Sequence, residues 1–303
     1  MNYKYLIYGL KVESEFEIEE AYRKEFDAEA DVRVVIGDIP QEVLDLYENS
    51  GNERSSVAVT KEAMIFRIDG EAYFWVTKDV ITIAPFEGSN MAHIKSYLLG
   101  SSFGYCFFLR KQVLLHGGAV AKYGKGVIVT GESGAGKSTV SDALSDKEYL
   151  FVSDDVCAIS FDGDKPHINM AFPQKKLCRD AALKRGYDLS ELIYIDEDRD
   201  KFALRLKDGF LPEGIDFDYL FELVFTEKDT LSFKEVQGHE KLMLVLRNVF
   251  RGEDTFRIWG ASPEYMQLCL NLASKVRIFQ IARPKDKDTL KEIVDFIDST
   301  VKG

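Results

Sequence analysis

Apolar residues in the first 95 positions cluster in short runs with the spacing of β-strands. Six such runs, rich in β-branched and aromatic side chains, lie at residues 3–10, 31–36, 56–59, 63–68, 71–76 and 80–85. Turn signals separate them, and Asp69-Gly70 between two alternating runs is typical of a hairpin. The pattern predicts a β-rich or α+β region over residues 1–95.

The rest of the chain alternates helical and extended patterns. A helix is predicted at residues 89–109, capped by Ser89 or Asn90, and strands are predicted at 112–120, 127–130 and 149–152. The strand at 127–130 is apolar throughout, as expected of a strand buried on both faces. Later segments predict a helix from Ser262-Pro263, a strand at 277–282 and a last helix capped by Asp288. Together these elements predict an α/β domain over residues 96–303.

The glycine-rich segment between the strand at 127–130 and the next helix is the most informative motif. It matches G-x-x-x-x-G-K-[ST] with Gly131, Glu132, Ser133, Gly134, Ala135, Gly136, Lys137 and Ser138, followed by Thr139. Glycines allow backbone N–H groups to surround phosphate oxygens, and the helix that follows directs its positive end at the same anion. Lys137 would reach the terminal phosphates, and the Ser138 hydroxyl would ligate Mg²⁺. The motif predicts a binding site for Mg-ATP.

Two further features are candidates for chemistry. Asp154 and Asp155 follow the strand at 149–152, where one carboxylate could hold Mg²⁺ and the other could accept a proton. The alternative is a solvated acidic turn. His116 lies in the strand before the phosphate-loop strand, but a lone histidine beside apolar residues is as often structural as catalytic. Adjacent strand residues point to opposite sides, so both aspartates reach one site only if the chain turns there.

Composition narrows the partners and the compartment. The formal net charge of -12 and the pI of about 5.0 disfavour binding to nucleic acid or to anionic membranes. The apolar stretch at residues 97–115 is broken by glycines and basic residues, so no membrane span is predicted. The first ten residues are too polar for a signal peptide, and the four cysteines show no paired spacing. These features predict a cytoplasmic protein whose cysteines are reduced core thiols.

Three motifs in this order resemble the kinase domain of HPr kinase/phosphorylase, and they are Leu115-His-Gly-Gly-Ala-Val120, Gly131-Glu-Ser-Gly-Ala-Gly-Lys-Ser138 and Val152-Ser-Asp-Asp155. The resemblance implies a P-loop kinase core similar to that of phosphoenolpyruvate carboxykinase. It implies a nucleotide loop at Gly131 to Thr139, Asp154 as acid/base, Asp155 toward the metal and His116 lining the site. It also suggests that Lys201 could place a charge over the phosphates. The Pro-Gly-Arg-Asn stretch with which that family docks HPr has only a partial counterpart in Leu246-Arg-Asn248.

The sequence thus favours an ATP- and Mg²⁺-dependent phosphotransferase that acts on a hydroxyl, with a serine of a peptide or small protein as the favoured acceptor. A kinase of a small metabolite with the same core is the alternative enzyme. From another class, a non-catalytic ATP-sensing regulator would retain the nucleotide loop without needing a base. The sequence leaves open whether the chain forms a homo-oligomer.

Overall fold

The structure is a computed structural model that describes residues 2–49, 57–60, 62–196, 200–252, 256, 260 and 262–303. It has the mixed α/β fold expected from the sequence, with three β-sheets in the described part. Ser56, the first residue of the strand predicted at 56–59, lies outside the described residues. No helix in these ranges is long and apolar enough to cross a lipid bilayer.

The first sheet has eight strands in the order β3-β1-β2-β4-β8-β7-β6-β5. In chain order they are β1 (Tyr3–Ile7), β2 (Leu10–Ser14), β3 (Tyr22–Arg23), β4 (Val32–Ile36), β5 (Val57–Val59), β6 (Ala63–Ile68), β7 (Ala72–Thr77) and β8 (Val80–Pro85). Helix α1 (Gln41–Glu48) connects β4 to β5. The prediction of a single strand at 3–10 was wrong, because Tyr8 and Gly9 take positive φ angles of 51° and 79° and turn the chain into a hairpin.

A long helical segment joins the first sheet to the second. It consists of α2 (Met91–Tyr97), a π-helical turn (Leu98–Ser102) and α3 (Phe103–Leu109). Asn90 caps it as predicted, because its side chain accepts the Ala92 N–H at 2.9 Å. The buried side chains of this segment belong to a cluster that also includes first-sheet residues and Leu114, Val156 and Ala158. One apolar cluster therefore extends across residue 95, and the division into two domains stays a prediction.

The remaining strands form the second and third sheets. In chain order they are β9 (Val113–Lys122), β10 (Lys125–Gly131), β11 (Leu150–Ser153), β12 (Val156–Asp162), β13 (Lys165–Ile168), β14 (Gln174–Cys178), β15 (Ile193–Asp196), β16 (Lys201–Arg205), β17 (Ile215–Thr226), β18 (Ser232–Glu235) and β19 (Arg277–Pro284). The second sheet runs β10-β9-β12-β13-β17-β19-β18, with β11 beside β9. Because β10 also pairs with β17, five strands of this sheet, β10, β9, β12, β13 and β17, close into a ring. The third sheet is β14-β16-β15.

Helices cover both faces of the β10–β17–β19 part of the second sheet. They are α4 (Lys137–Ser145), α6 (His239–Arg247), α7 (Pro263–Lys275) and α8 (Leu290–Lys302). Helix α5 (Arg179–Lys184) lies instead against β14 and β16 of the third sheet, next to a 3₁₀ turn at Leu189–Glu191. Val129 packs in one cluster with residues of α4 and α8, and the neighbouring Ile128 packs in another with residues of α6 and α7. Side chains alternate along a strand, so an unbroken apolar run is what burial on both faces requires.

Two smaller expectations need correction. Thr289, not Asp288, occupies the N-cap position of α8, although the Asp288 carboxylate still accepts the Leu290 N–H at 3.1 Å. Cys106, Cys157 and Cys269 are buried as predicted, whereas Cys178 is exposed. Cys178 is the last residue of β14 and lies at the surface. Nothing in the sequence around it indicated this exposure.

We expect Gly126→Ala to destabilise the protein by about 1–3 kcal/mol, the usual cost of overpacking a core. A Cβ at Gly126 would lie 2.3 Å from the Asp216 carbonyl oxygen, so β10 and β17 would have to separate. Gly37→Ala is the matched control, since its Cβ would meet only the Thr82 methyl group at 3.9 Å. Urea denaturation of both variants measures the difference, and equal midpoints would contradict the steric argument.

Candidate functional site

The glycine-rich loop connects the end of β10 to the start of α4. Its three glycines, Gly131, Gly134 and Gly136, have φ angles of 136°, 81° and 99°, which other residues rarely adopt. A Cβ at Gly131 would lie only 2.1 Å from the Leu223 carbonyl oxygen of β17, whereas a Cβ at Gly134 would meet nothing within 4 Å. Gly131 thus permits close strand packing, while Gly134 keeps the outer side of the loop open.

Two basic side chains hold the loop. The Lys137 ammonium donates to the carbonyl oxygens of Gly131 at 2.9 Å and Glu132 at 3.0 Å. The Arg283 guanidinium donates to the Ala135 carbonyl oxygen at 3.1 Å from the other side. Burial lowers the pKa of Lys137 below its ordinary value. The lysine has neutral oxygens as hydrogen-bond partners, which an anion can replace without breaking an ion pair.

Asp154 and Asp155 occupy the bend between β11 and β12, next to the loop. Asp155 has a φ angle of 66°, which is uncommon for a residue other than glycine and turns the chain sharply. As a result both carboxylates face β14. Asp154 Oδ2 accepts the main-chain N–H of Lys176 at 2.7 Å, and Asp155 Oδ2 lies 3.5 Å from the Lys176 ammonium. The turn on which the sequence prediction depended is present.

The two carboxyl groups differ in their electrostatics. Burial, together with the neighbouring Asp155 charge, raises the pKa of Asp154 from 3.8 to about 6. Burial would also raise the pKa of Asp155, but the charge of Lys176, aided by that of Lys201 and by His116 when His116 is protonated, lowers it below 3.8. Adjacent acids whose pKa values are pushed apart are suited to separate tasks.

His116 lies against Asp155. Its Nδ1 is 3.0 Å from the Asp155 carbonyl oxygen and 3.5 Å from Asp155 Oδ1. Burial lowers the pKa of His116, and this effect is larger than the opposing effect of the Asp155 charge. A neutral ring that donates its Nδ1 proton to this carbonyl leaves Nε2 as an acceptor. The structure therefore brings His116, Asp155 and the loop together.

Lys201 reaches the same region from the third sheet. It pairs with Cys178 across β14 and β16, and its charge contributes to lowering the pKa values of Lys137, His116 and Asp155. Ser138 and Asp154 line one small cavity together with Lys176. All the residues selected from the sequence thus lie in or beside the loop region. Their roles stay predictions.

Sequence reasoning singled out Arg247 and Asn248 but missed Glu222 and the buried polar network that the three residues form beside the loop. Glu222, which is 2% exposed, accepts hydrogen bonds from Arg247 at 2.7 Å, Asn248 at 2.8 Å and Gln280 at 2.8 Å. Thr130, the residue before the loop, donates to the Asn248 side chain at 2.8 Å. The network lines a cleft of about 590 Å³ that also includes His116, Gly131 and Glu132. A single acidic residue within the apolar run at 219–225 was the available signal.

The donor atoms near the loop fit Mg²⁺ held jointly with a nucleotide. Within the described residues, no group of three or more His, Cys, Asp or Glu side chains is placed to hold a metal ion alone. Mg²⁺ normally takes one or two protein oxygens and completes its shell with phosphates and water. The Ser138 hydroxyl and the Asp155 carboxylate are oxygen donors of this kind.

Comparisons with known proteins point to one family. No family model matches the chain. HPr kinase/phosphorylase of Mycoplasmopsis pulmonis is 36% identical over 58 residues, 19% of this chain and 19% of that protein. HPr kinase/phosphorylase of a Thermoanaerobacter species (strain X514) is 30% identical over 128 residues, 37% of this chain and 40% of that protein. The matched region thus spans less than half the length of these curated relatives.

A solved HPr(Ser) kinase/phosphatase from Coxiella burnetii aligns with 62% of this chain and 93% of its own, with a TM-score of 0.32 and 16% identity. This structural likeness is distant, and the sequence matches carry the relationship. They confirm the resemblance of this chain to the HPr kinase-like family.

We expect Asp154→Asn to stabilise the ligand-free protein by about 1–3 kcal/mol near neutral pH. The folded-state pKa of about 6 exceeds the ordinary value of 3.8, so the folded state binds the proton more tightly. Ionisation therefore costs stability as pH rises from about 4 to 6, and the cost stays constant above that range. Asparagine does not ionise and carries no such cost. The gain in the free energy of unfolding should vanish toward pH 4, where Asp154 is protonated in the folded state.

Chemical denaturation of parent and variant at several pH values checks this expectation. Asp155→Asn is the matched control of opposite sign, because the lowered pKa of Asp155 means that its charged form stabilises the folded state. It should lose stability near neutral pH. Equal, pH-independent effects of the two substitutions would contradict the assigned electrostatics.

Proposed function

We propose that this chain, which resembles the HPr kinase-like family, is an ATP- and Mg²⁺-dependent phosphotransferase that phosphorylates a hydroxyl, with a serine of a peptide or small protein as the favoured acceptor. The observation that carries the proposal is the turn at Asp155, which brings two acids with opposite pKa shifts together beside Lys176, close enough to Lys137 of the motif loop for their charges to act on its pKa. A binding protein has no need of a base beside its phosphate site. The P-loop kinase core would comprise residues 96–303.

The loop and Lys137 would bind the triphosphate. Positive φ angles at Gly134 and Gly136 turn successive peptide groups so that N–H groups can face one anion. The N-terminus of α4 follows directly, and its dipole favours negative charge there. Lys137 would exchange the carbonyl oxygens of Gly131 and Glu132 for phosphate oxygens. This exchange stabilises charge that grows on the transferred phosphoryl group.

Ser138 and Asp155 would hold Mg²⁺, which neutralises phosphate charge when bound. Asp155 suits this role because its lowered pKa keeps it ionised. Its main-chain oxygen accepts hydrogen bonds from the Gly117 N–H at 3.2 Å and from the His116 ring at 3.0 Å, which fixes the turn.

Asp154 would accept the proton of the acceptor hydroxyl. The acceptor oxygen forms a bond to the γ-phosphorus, the bond from that phosphorus to the bridging oxygen breaks, and ADP leaves with the electron pair. A base with a pKa near 6 is ionised at neutral pH yet basic enough to share a proton in the transition state. His116, neutral and with Nε2 as an acceptor, would help to orient the hydroxyl.

The cleft between His116 and the Glu222 network is where the acceptor hydroxyl would enter the site. It holds about 590 Å³ and opens beside Gly131 and Glu132 of the loop. Single-turnover assays with labelled ATP test the acceptor class directly. Label on a serine peptide supports the proposal, and label on a small metabolite favours the alternative kinase. Tight binding of ATP with no transfer favours a regulator.

We expect Mg-ATP to stabilise the parent protein by about 2.7 kcal/mol at a ligand concentration of about 100 times Kd. Lys137→Ala should weaken ATP binding by about 10- to 100-fold, the usual size of a lost charge-assisted hydrogen bond, and leave adenosine binding unchanged. Lys165→Ala, whose side chain is 77% exposed on β13, is the control. Calorimetry measures the affinities of the unsubstituted protein and of both variants for ATP and for adenosine. If saturating Mg-ATP does not change the melting temperature of the unsubstituted protein, the proposal is refuted.

Substitution of each aspartate should separate the two roles. Asp154→Asn should leave Mg-ATP affinity nearly intact and lower the transfer rate by about 10²–10⁴, the usual contribution of a general base. Asp155→Asn should raise the Mg²⁺ requirement, and its rate should partly return at high Mg²⁺ because a ligand, not a base, is lost. Transfer rates are measured against Mg²⁺ concentration for both variants. Rescue of the Asp154 variant alone would show that the roles are reversed.

A further inference from the structure

Lys176 on β14 contacts both aspartates with two different groups. Its main-chain N–H donates to Asp154 Oδ2 at 2.7 Å, and its ammonium lies 3.5 Å from Asp155 Oδ2. Its side chain is only 21% exposed. None of the proposed steps of phosphoryl transfer uses Lys176.

The third sheet places Lys176 beside Lys201. Cys178 and Lys201 pair directly across β14 and β16, and directly paired residues share a face of a sheet. Lys176 is two positions from Cys178 on the same strand, so it shares that face too. The third sheet therefore presents two lysines on one face, and the Lys201 charge acts on Asp155 as the Lys176 charge does.

The neighbouring Lys175 has a different surrounding. Its ammonium binds the Asp142 carboxylate at 3.0 Å and the Ser145 hydroxyl at 3.1 Å, both on α4, the helix that follows the loop. Lys175 thus anchors β14 to α4, while Lys176 extends to the aspartates. This contact holds β14, and with it Lys176, against the helix that follows the loop. Ser138, at the start of α4, lines one small cavity with both lysines, and Asp154 lines it as well.

We propose that Lys176 is a second phosphate-binding lysine, whose ammonium exchanges Asp155 for oxygens of the nucleotide's terminal phosphate while its main-chain N–H keeps Asp154 oriented. The inference rests on the proposed function. An ammonium beside Asp155 is repelled by a cation that the same carboxylate ligates, because like charges repel at this distance. The space that it shares with Ser138 lies toward the loop, where the phosphates would bind.

Lys176→Met tests the proposal, because methionine keeps the main-chain N–H and an unbranched side chain only one atom shorter while removing the charge. Calorimetry without Mg²⁺ should show ATP affinity reduced by about 10- to 100-fold, and adenosine affinity unchanged. The Mg²⁺ concentration for half-maximal ATP binding should fall severalfold, because the ammonium no longer competes for Asp155. A loss of triphosphate affinity with a gain in metal response is a combination that general structural damage does not produce.

Two further variants complete the design. Lys176→Arg should restore most of the ATP affinity, since the cation is retained. Lys175→Met removes the adjacent ammonium that anchors β14 to α4. It should lower the ATP affinity much less than Lys176→Met does, and it should leave the Mg²⁺ requirement unchanged. Thermal unfolding confirms that each variant is folded.

The outcomes separate the two proposals. A parent that binds Mg-ATP, together with a Lys176→Met variant that binds ATP and responds to Mg²⁺ as the parent does, would overturn the role of Lys176 and leave the proposed function standing. Equal losses in Lys175→Met and Lys176→Met would also overturn it, since the effect would then reflect strand packing. A parent that binds no ATP refutes the proposed function itself.

Discussion

The left-handed turn at Asp155 is the constraint on which the site depends. Consecutive residues of an extended strand point to opposite sides, so without this turn Asp154 and Asp155 could not share a site. A non-glycine residue at positive φ costs about 1–2 kcal/mol. Hydrogen bonds from Gly117 and His116 to the Asp155 carbonyl oxygen offset that cost. The turn thereby links β9, which carries His116, to the acids between β11 and β12.

The site contains buried carboxylates, which are costly in a stable core. Two carboxylates lie side by side, and burial makes the charged form of one of them costly. The charges around Asp155, chiefly that of Lys176, more than offset the cost of burial for Asp155, whereas Lys176 offsets only part of it for Asp154. Strain and unfavourable ionisation that persist in a folded protein commonly mark sites of chemistry. The third sheet contributes to the site through Lys176 and Lys201.

Sequence reasoning found those parts of the site that local chemistry specifies. The loop needs glycine at positions 131, 134 and 136, and that need is visible in the sequence. Lys176 and Glu222 were missed because their importance comes from pairing between strands far apart in the chain. Lys176 follows another lysine in an unremarkable segment, and nothing local distinguishes which of the two faces the acids. The hairpin at Tyr8-Gly9 was missed because apolar residues continue on both sides of the turn.

The apolar cluster that crosses residue 95 has a consequence for how the molecule unfolds. Ile94, Phe103 and Phe107 of the connecting helices are buried among side chains of the first sheet and among Leu114 and Val156 of the second. Neither half can expose its part of this cluster without exposing the other's. Cooperative units follow shared buried surface more closely than chain boundaries. The two halves should therefore melt in one transition, and a fragment that begins at residue 96 would expose a large apolar surface and aggregate.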